Sequence, residues 1–152
     1  MPGEETKVQL NKLCIQLIES KLFKLKESIK EIQASANSDT KSSMGDKYET
    51  GRAMAQLEIE KATHQKLELE SQLQILTKIA TFNSSETIGN GSLVICSTGN
   101  YYVSVSIRLL QLEANTYFGV SNQSPIGQKM LGLKAGGSFD LNGKAIEILQ
   151  VF

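Results

Sequence analysis

Tryptophan is absent from this 152-residue chain, aromatic residues make up only 6% of it, and it has two prolines and two cysteines. So few aromatics argue against a platform on which bases stack. Two cysteines, Cys14 and Cys96, each set in an apolar pattern, argue against a disulfide or metal framework and for buried reduced thiols. Net charge is also missing: sixteen Lys plus Arg offset sixteen Asp plus Glu. Nothing therefore draws the whole chain toward nucleic acid or a membrane surface, and no sequence-specific DNA binding is expected. No run approaches the roughly 18 apolar residues of a membrane span, and no signal-peptide pattern opens the chain, so a cytoplasmic protein is expected.

What charge there is lies unevenly. Residues 1–80 hold twelve residues of each sign and residues 81–152 hold the other four of each. From Lys7 to Ala34 the chain lacks Gly and Pro, and apolar residues recur at Leu10, Leu13, Cys14, Leu17, Ile18, Leu22, Leu25, Ile29 and Ile32. Steps of three and four make one helical stripe, preceded by a frayed polar start over 1–6. Small polar residues at 34–38 loosen that helix. A second helix is expected from Asp46 to Ala80, with a near-heptad seam through Ala55, Ile59, Ala62, Leu69, Leu73, Leu76 and Ala80. The short polar connection makes the two helices antiparallel, a hairpin coiled coil over 1–80 with its tip near 36–50. An arm of roughly 28 residues spans on the order of 40 Å.

Helical periodicity stops at Thr81, and Phe82-Asn83-Ser84-Ser85 reads as a linker. Strands are expected at Ser92–Ser97, Tyr101–Ile107, Thr116–Ser121, Ser138–Leu141 and Ala145–Val151, with Asn142-Gly143 as a two-residue hairpin turn. Between them Ser124 can cap a short helix, Pro125 suits its first turn and Gly132 can end it. Residues 81–152 thus form a small α+β domain, an antiparallel sheet with one short helix.

The segment SPIGQKMLGLKAGGSFDLNGKAIEILQVF, through Ser124, Pro125, Ile126, Leu131, Gly132 and Gly136, resembles the C-terminal signature of the bacterial GreA/GreB transcript-cleavage factors. Gly45-Asp46-Lys47-Tyr48-Glu49-Thr50 resembles the Gly-Asp-x-x-Glu-Asn at the tip of that family's coiled coil. The resemblance implies an FKBP-like C-terminal fold, docking on the rim of RNA polymerase's secondary channel, and insertion of the hairpin toward the active centre. There the tip carboxylates help to hold a Mg²⁺ ion shared with the polymerase, and the polymerase's own cleavage of backtracked RNA is stimulated. The nascent RNA 3′ end is then met only indirectly.

Residue by residue, this assigns metal completion to Asp46 and Glu49, with Asp39 a further acidic candidate. It assigns polymerase binding to Ser124, Pro125, Ile126, Leu131 and Gly132, and proximity to RNA to Lys21, Lys24 and Lys30. The chain departs from the family at Thr50, where Asn is usual, at Gly51, and in a longer Ser-rich loop over 38–44. An alignment fixed on Tyr48 instead places Lys41 and Met44 at the acidic positions.

Each signal has a plainer counterpart. Asp46-x-x-Glu49 is also a capping box, Asp39 a turn former, and the lysines a solvated helix face. His64 has no ligand partners at metal spacing and is expected at the surface. No nucleophile–base pair, metal cluster or phosphate loop is present, so no catalysis of its own is expected, and the resemblance implies action on the polymerase's catalytic centre instead. Three other readings stay open. One is a channel-binding regulator that does not stimulate cleavage. Another is a peptidyl-prolyl isomerase, for which Tyr101, Tyr102, Tyr117, Phe118 and Phe139 are the aromatic material. The third is a coiled-coil interaction protein associating through Leu69, Leu73 and Leu76.

Overall fold

The structure, a computed structural model, describes residues 2–39, 45–79 and 85–152, with side chains described over 3–36, 49–79 and 85–152. Two long helices come first, α1 (Pro2–Asp39) and α2 (Gly45–Lys78). Six strands and one short helix follow: β1 (Leu93–Cys96), β2 (Gly99–Ser104), β3 (Ile107–Leu112), β4 (Asn115–Ser121), α3 (Pro125–Met130), β5 (Ser138–Leu141) and β6 (Lys144–Val151). The expected helical hairpin followed by an α+β sheet domain is what the chain forms. Two compact units result, one of residues 1–16 with 74–152, the other of residues 17–73.

In the unit of residues 17–73 the apolar stripe becomes the seam. Ile18, Leu22 and Ala62 are buried, while Leu25, Ile29, Ile32, Ile59, Leu69 and Leu73 are half-buried. The positions between them are mostly exposed, as an amphipathic pair requires. The last seam residue, Ala80, lies outside the described residues.

The other unit is organised by its sheet, in the order β3-β4-β2-β1-β6-β5. Four of its pairings are antiparallel, and β2 with β4 is parallel, Tyr101 opposite Phe118 and Val103 opposite Val120. The sheet is therefore mixed, where sequence alone suggested an antiparallel one. The cause is β3. The run Tyr101–Ile107 is not one strand: β2 ends at Ser104, and Val105-Ser106 carries the chain across β4 to a separate outer strand. Gly119 of β4 makes that crossing possible, because a Cβ there would stand 2.8 Å from the Val105 carbonyl oxygen and 3.1 Å from the Ile107 nitrogen.

Side chains alternate across the sheet. On one face Val94, Cys96, Val103, Val120, Ile146 and Ile148 close over Met130 of α3 and Phe139. The other face packs on the roots of the long helices. The Tyr102 hydroxyl, on a fully buried side chain, donates to Asn11 Oδ1 at 2.8 Å, and Asn11 Nδ2 donates to the Leu76 carbonyl at 3.1 Å. One tyrosine thus ties β2 to both helices. Cys14 lies against Ser104, whose buried hydroxyl has no other hydrogen-bond partner among the described residues.

The frayed start expected over residues 1–6 is instead the first turns of α1. Gly3 is buried, since a Cβ there would run into the Phe152 ring, and Lys7 is 1% exposed. Burial lowers the Lys7 ammonium pKa, with Glu4 acting in the opposite direction.

Candidate functional site

The best-defined candidate segment joins β4 to α3. Ser124 has extended backbone (φ −68°, ψ 158°). Its hydroxyl accepts from the Gly127 amide at 3.1 Å and donates to the Ser121 carbonyl at 2.6 Å. That is the N-cap expected of serine ahead of Pro125. One side chain therefore fastens the start of α3 to the end of β4. The fit is close, because a Cβ on Gly127 would overlap the Ser121 carbonyl oxygen.

At the other end the Leu131 amide donates to the Gly127 carbonyl at 3.0 Å. Gly132 turns at φ +81°, a conformation glycine adopts without steric cost, and its amide reaches the Ile88 carbonyl at 2.9 Å. The segment thus presents two kinds of surface. Ile126 is half-buried against the core, and Gly127 and Met130 are buried. Pro125, Leu131 and Gly132 face solvent, with Leu131 47% exposed. The turn thus holds one exposed apolar side chain between two backbone anchors.

The second candidate is the connection between the long helices. Glu49 is exposed, two residues before the half-buried Gly51. The backbones of Asp39 and Asp46 are the last residue of α1 and the second of α2, and their side chains lie outside the described residues, as do residues 40–44. Because α2 begins at Gly45, Asp46 already has helical backbone, whereas an N-cap residue is extended. Lys21, Lys24 and Lys30 are exposed on α1, and Lys30 sits 3.5 Å from Glu27, three residues before it. Such an exposed pair contributes little to stability. His64 is exposed, as expected.

Among the described residues no group of three His, Cys, Asp or Glu side chains stands where it could hold a metal, and no helix is long and apolar enough to cross a membrane. The thiols are buried. Desolvation pushes Cys14 up to about 12, outweighing the contact with Ser104, and Cys96 up to about 11. Tyr102 is raised too, by burial first and by Cys14 second.

A third feature was not legible in the sequence. Tyr101 and Phe118, paired across the parallel register, stack with centroids 5.8 Å apart and planes tilted by 34°. Tyr101 is the shared wall of two open clefts. One, of about 330 Å³, runs past Leu141 and Ile146 to Lys144. The other, of about 300 Å³, runs past Phe118 and Val120 to Arg108. The aromatic residues themselves stood out in the sequence. Their neighbourhood depends on the parallel β2–β4 pairing, which no local pattern announces.

Comparison with solved structures returns a chain described as the structure of the transcription factor Gfh1. It is 21% identical, with 92% of this chain and 94% of that one covered and a TM-score of 0.34. No protein-family model and no curated protein matches the chain.

Proposed function

We propose that this protein is a GreA/GreB-like transcription factor that binds RNA polymerase at its secondary channel and stimulates the enzyme's own cleavage of backtracked RNA. The observation that carries this reading is the pairing of two features in one chain. A helical hairpin carries Asp39, Asp46 and Glu49 at the adjoining ends of its two helices, and a sheet domain carries the Ser124-Pro125-capped helix with Leu131 exposed beyond it. Both coincide with the sequence segments that resemble the family.

The division of labour follows from the chemistry. The Ser124–Gly132 segment is rigid and partly apolar, suited to docking on the channel rim within an FKBP-like domain. The tip brings carboxylates. Mg²⁺ commonly takes one or two protein carboxylates while keeping water and substrate oxygens, so a protein need contribute only part of a site. Glu49, exposed as the fifth residue of α2, would serve as one ligand, and Asp46 or Asp39 would supply a second. The ion would polarise water and the scissile phosphate, and the chain's own part is to place the carboxylates. Lys21, Lys24 and Lys30 would lie toward RNA. The protein would then act as an accessory factor without a catalytic centre of its own.

A second reading, channel occupancy without cleavage, is favoured by Thr50, by Gly51 and by the longer loop over 38–44. The test is RNA cleavage in backtracked elongation complexes of a bacterial polymerase, with wild type, Asp46→Ala and Glu49→Ala. Polymerase binding and helicity are checked in parallel. Cleavage falling on the order of tenfold or more in folded, polymerase-bound variants supports metal completion. Binding by wild type without any stimulation supports the occupancy reading. Absence of binding removes both.

A further inference from the structure

We infer that the Tyr101 ridge is a docking site for an extended protein segment in which apolar side chains are flanked by carboxylates. The inference does not rest on the polymerase reading and concerns a different part of the sheet domain from the Ser124–Gly132 segment.

Three observations lead to it. First, the ridge is built: Tyr101 and Phe118 are held at 5.8 Å by the parallel register of β2 and β4, and both rings are only partly buried. Second, the clefts on its two sides, about 330 and 300 Å³, are floored by aliphatic side chains, Leu141 and Ile146 in one and Val120 in the other. Each is near the lower end of the size range of ligand pockets. That is room for a few side chains of a bound segment rather than for a large cofactor.

Third, each cleft ends in a cation. Lys144 is the first residue of β6, set there by the Asn142-Gly143 turn. Arg108 lies where the β3–β4 register shifts between Ile107 and Leu110, an irregularity of the kind that re-aims side chains. Both are exposed, and neither forms an ion pair with any described residue.

Charge and shape together select the occupant. An apolar floor with a cation at either end complements a segment that is apolar in the middle and acidic at its ends. A single-stranded nucleic acid is the less suited occupant. It needs a track of cations along its backbone, and the clefts offer one each.

The experiment uses the full-length ¹⁵N-labelled protein. It is titrated with an acetylated, amidated probe peptide, Asp-Leu-Ser-Leu-Asp, and with the same peptide carrying Lys in place of Asp. The expected result is saturable amide shifts confined to Tyr101, Phe118, Arg108, Lys144 and their strand neighbours for the acidic peptide only. Arg108→Glu with Lys144→Glu, both at exposed positions, should weaken that binding at least tenfold and admit the Lys peptide instead. Tyr101→Ala should abolish both interactions, but it also removes a residue packed against the core, so the charge reversal is the deciding variant. Four outcomes overturn the inference: no saturable shift up to millimolar peptide, binding indifferent to the charge reversal, a ridge that responds to a ten-nucleotide oligothymidylate rather than to peptide, or shifts that follow protein concentration without ligand.

Discussion

At the scale of single residues, close approach matters more than composition. Gly127 is required because the Ser121 carbonyl occupies the place of its Cβ. Gly127→Ala should cost about 1–3 kcal/mol in urea unfolding, the usual range for overpacking. Gly132→Ala has open space around it but a φ of +81°, and should cost roughly 1 kcal/mol through backbone strain alone. A larger loss for Gly132→Ala than for Gly127→Ala would refute this ordering.

The buried thiols set a pH dependence. Their ordinary value is 9.0, and in the fold they stand at about 12 and about 11. Above about pH 9 the unfolded chain therefore releases protons that the native state retains. The stability these groups lend is complete below that pH and is lost as pH rises toward 11–12. Lys7 works the other way, since its lowered pKa favours the folded state at high pH. Stability from urea titrations between about pH 9 and 11 should fall less steeply in Cys14→Ala/Cys96→Ala than in wild type. Equal slopes would show that the thiols are not the cause.

At the scale of elements, the parts fixed by local chemistry were readable in the sequence. The Ser124 cap, the Asn142-Gly143 turn (φ 53° and 80°) and the helical stripes all formed where residue type alone placed them. What was not readable depends on tertiary neighbours. Pro2 and Gly3 read as a frayed start, yet Gly3 is the position against which the Phe152 ring packs. Strand β3 is not expected beyond Ile107, because nothing in Tyr101–Leu112 marks the crossing over Gly119 of a strand still to come. The tip carboxylates were legible as a motif, and of the three only the Glu49 side chain lies among the described residues. Gly51 is the exception within α2. It lines a groove of about 310 Å³ with Ile32, Ala36 and Ala55, in a helix interior where glycine is an unfavourable residue. Gly51→Ala should stabilise the hairpin by about 0.5–1 kcal/mol, read as a raised midpoint of thermal unfolding by circular dichroism. A lowered midpoint would mean that α2 needs glycine there for another reason.

At the scale of the whole molecule, the sheet domain borrows the ends of the long helices. Tyr102, Leu93 and Leu110 are buried on the face that packs against Asn11, Cys14 and Leu76. A fragment of residues 81–152 would leave that face bare, and we expect it to aggregate or to give a collapsed, poorly dispersed ¹H–¹⁵N spectrum. A chain in which residues 17–73 are replaced by a short flexible linker keeps all of these contacts and should give a dispersed one. A well-folded 81–152 fragment would contradict this assignment of the core. The discontinuity also orders events in time. During synthesis the first sixteen residues leave the ribosome long before any strand that will cover them. Residues 17–73 can meanwhile zip together from neighbours close in sequence, which is the quick kind of folding. In doing so they draw Asn11 and Leu76, 65 positions apart, toward one another before β2 exists. The hairpin would thus serve as an early clamp, and the sheet would assemble afterwards on a seat already made.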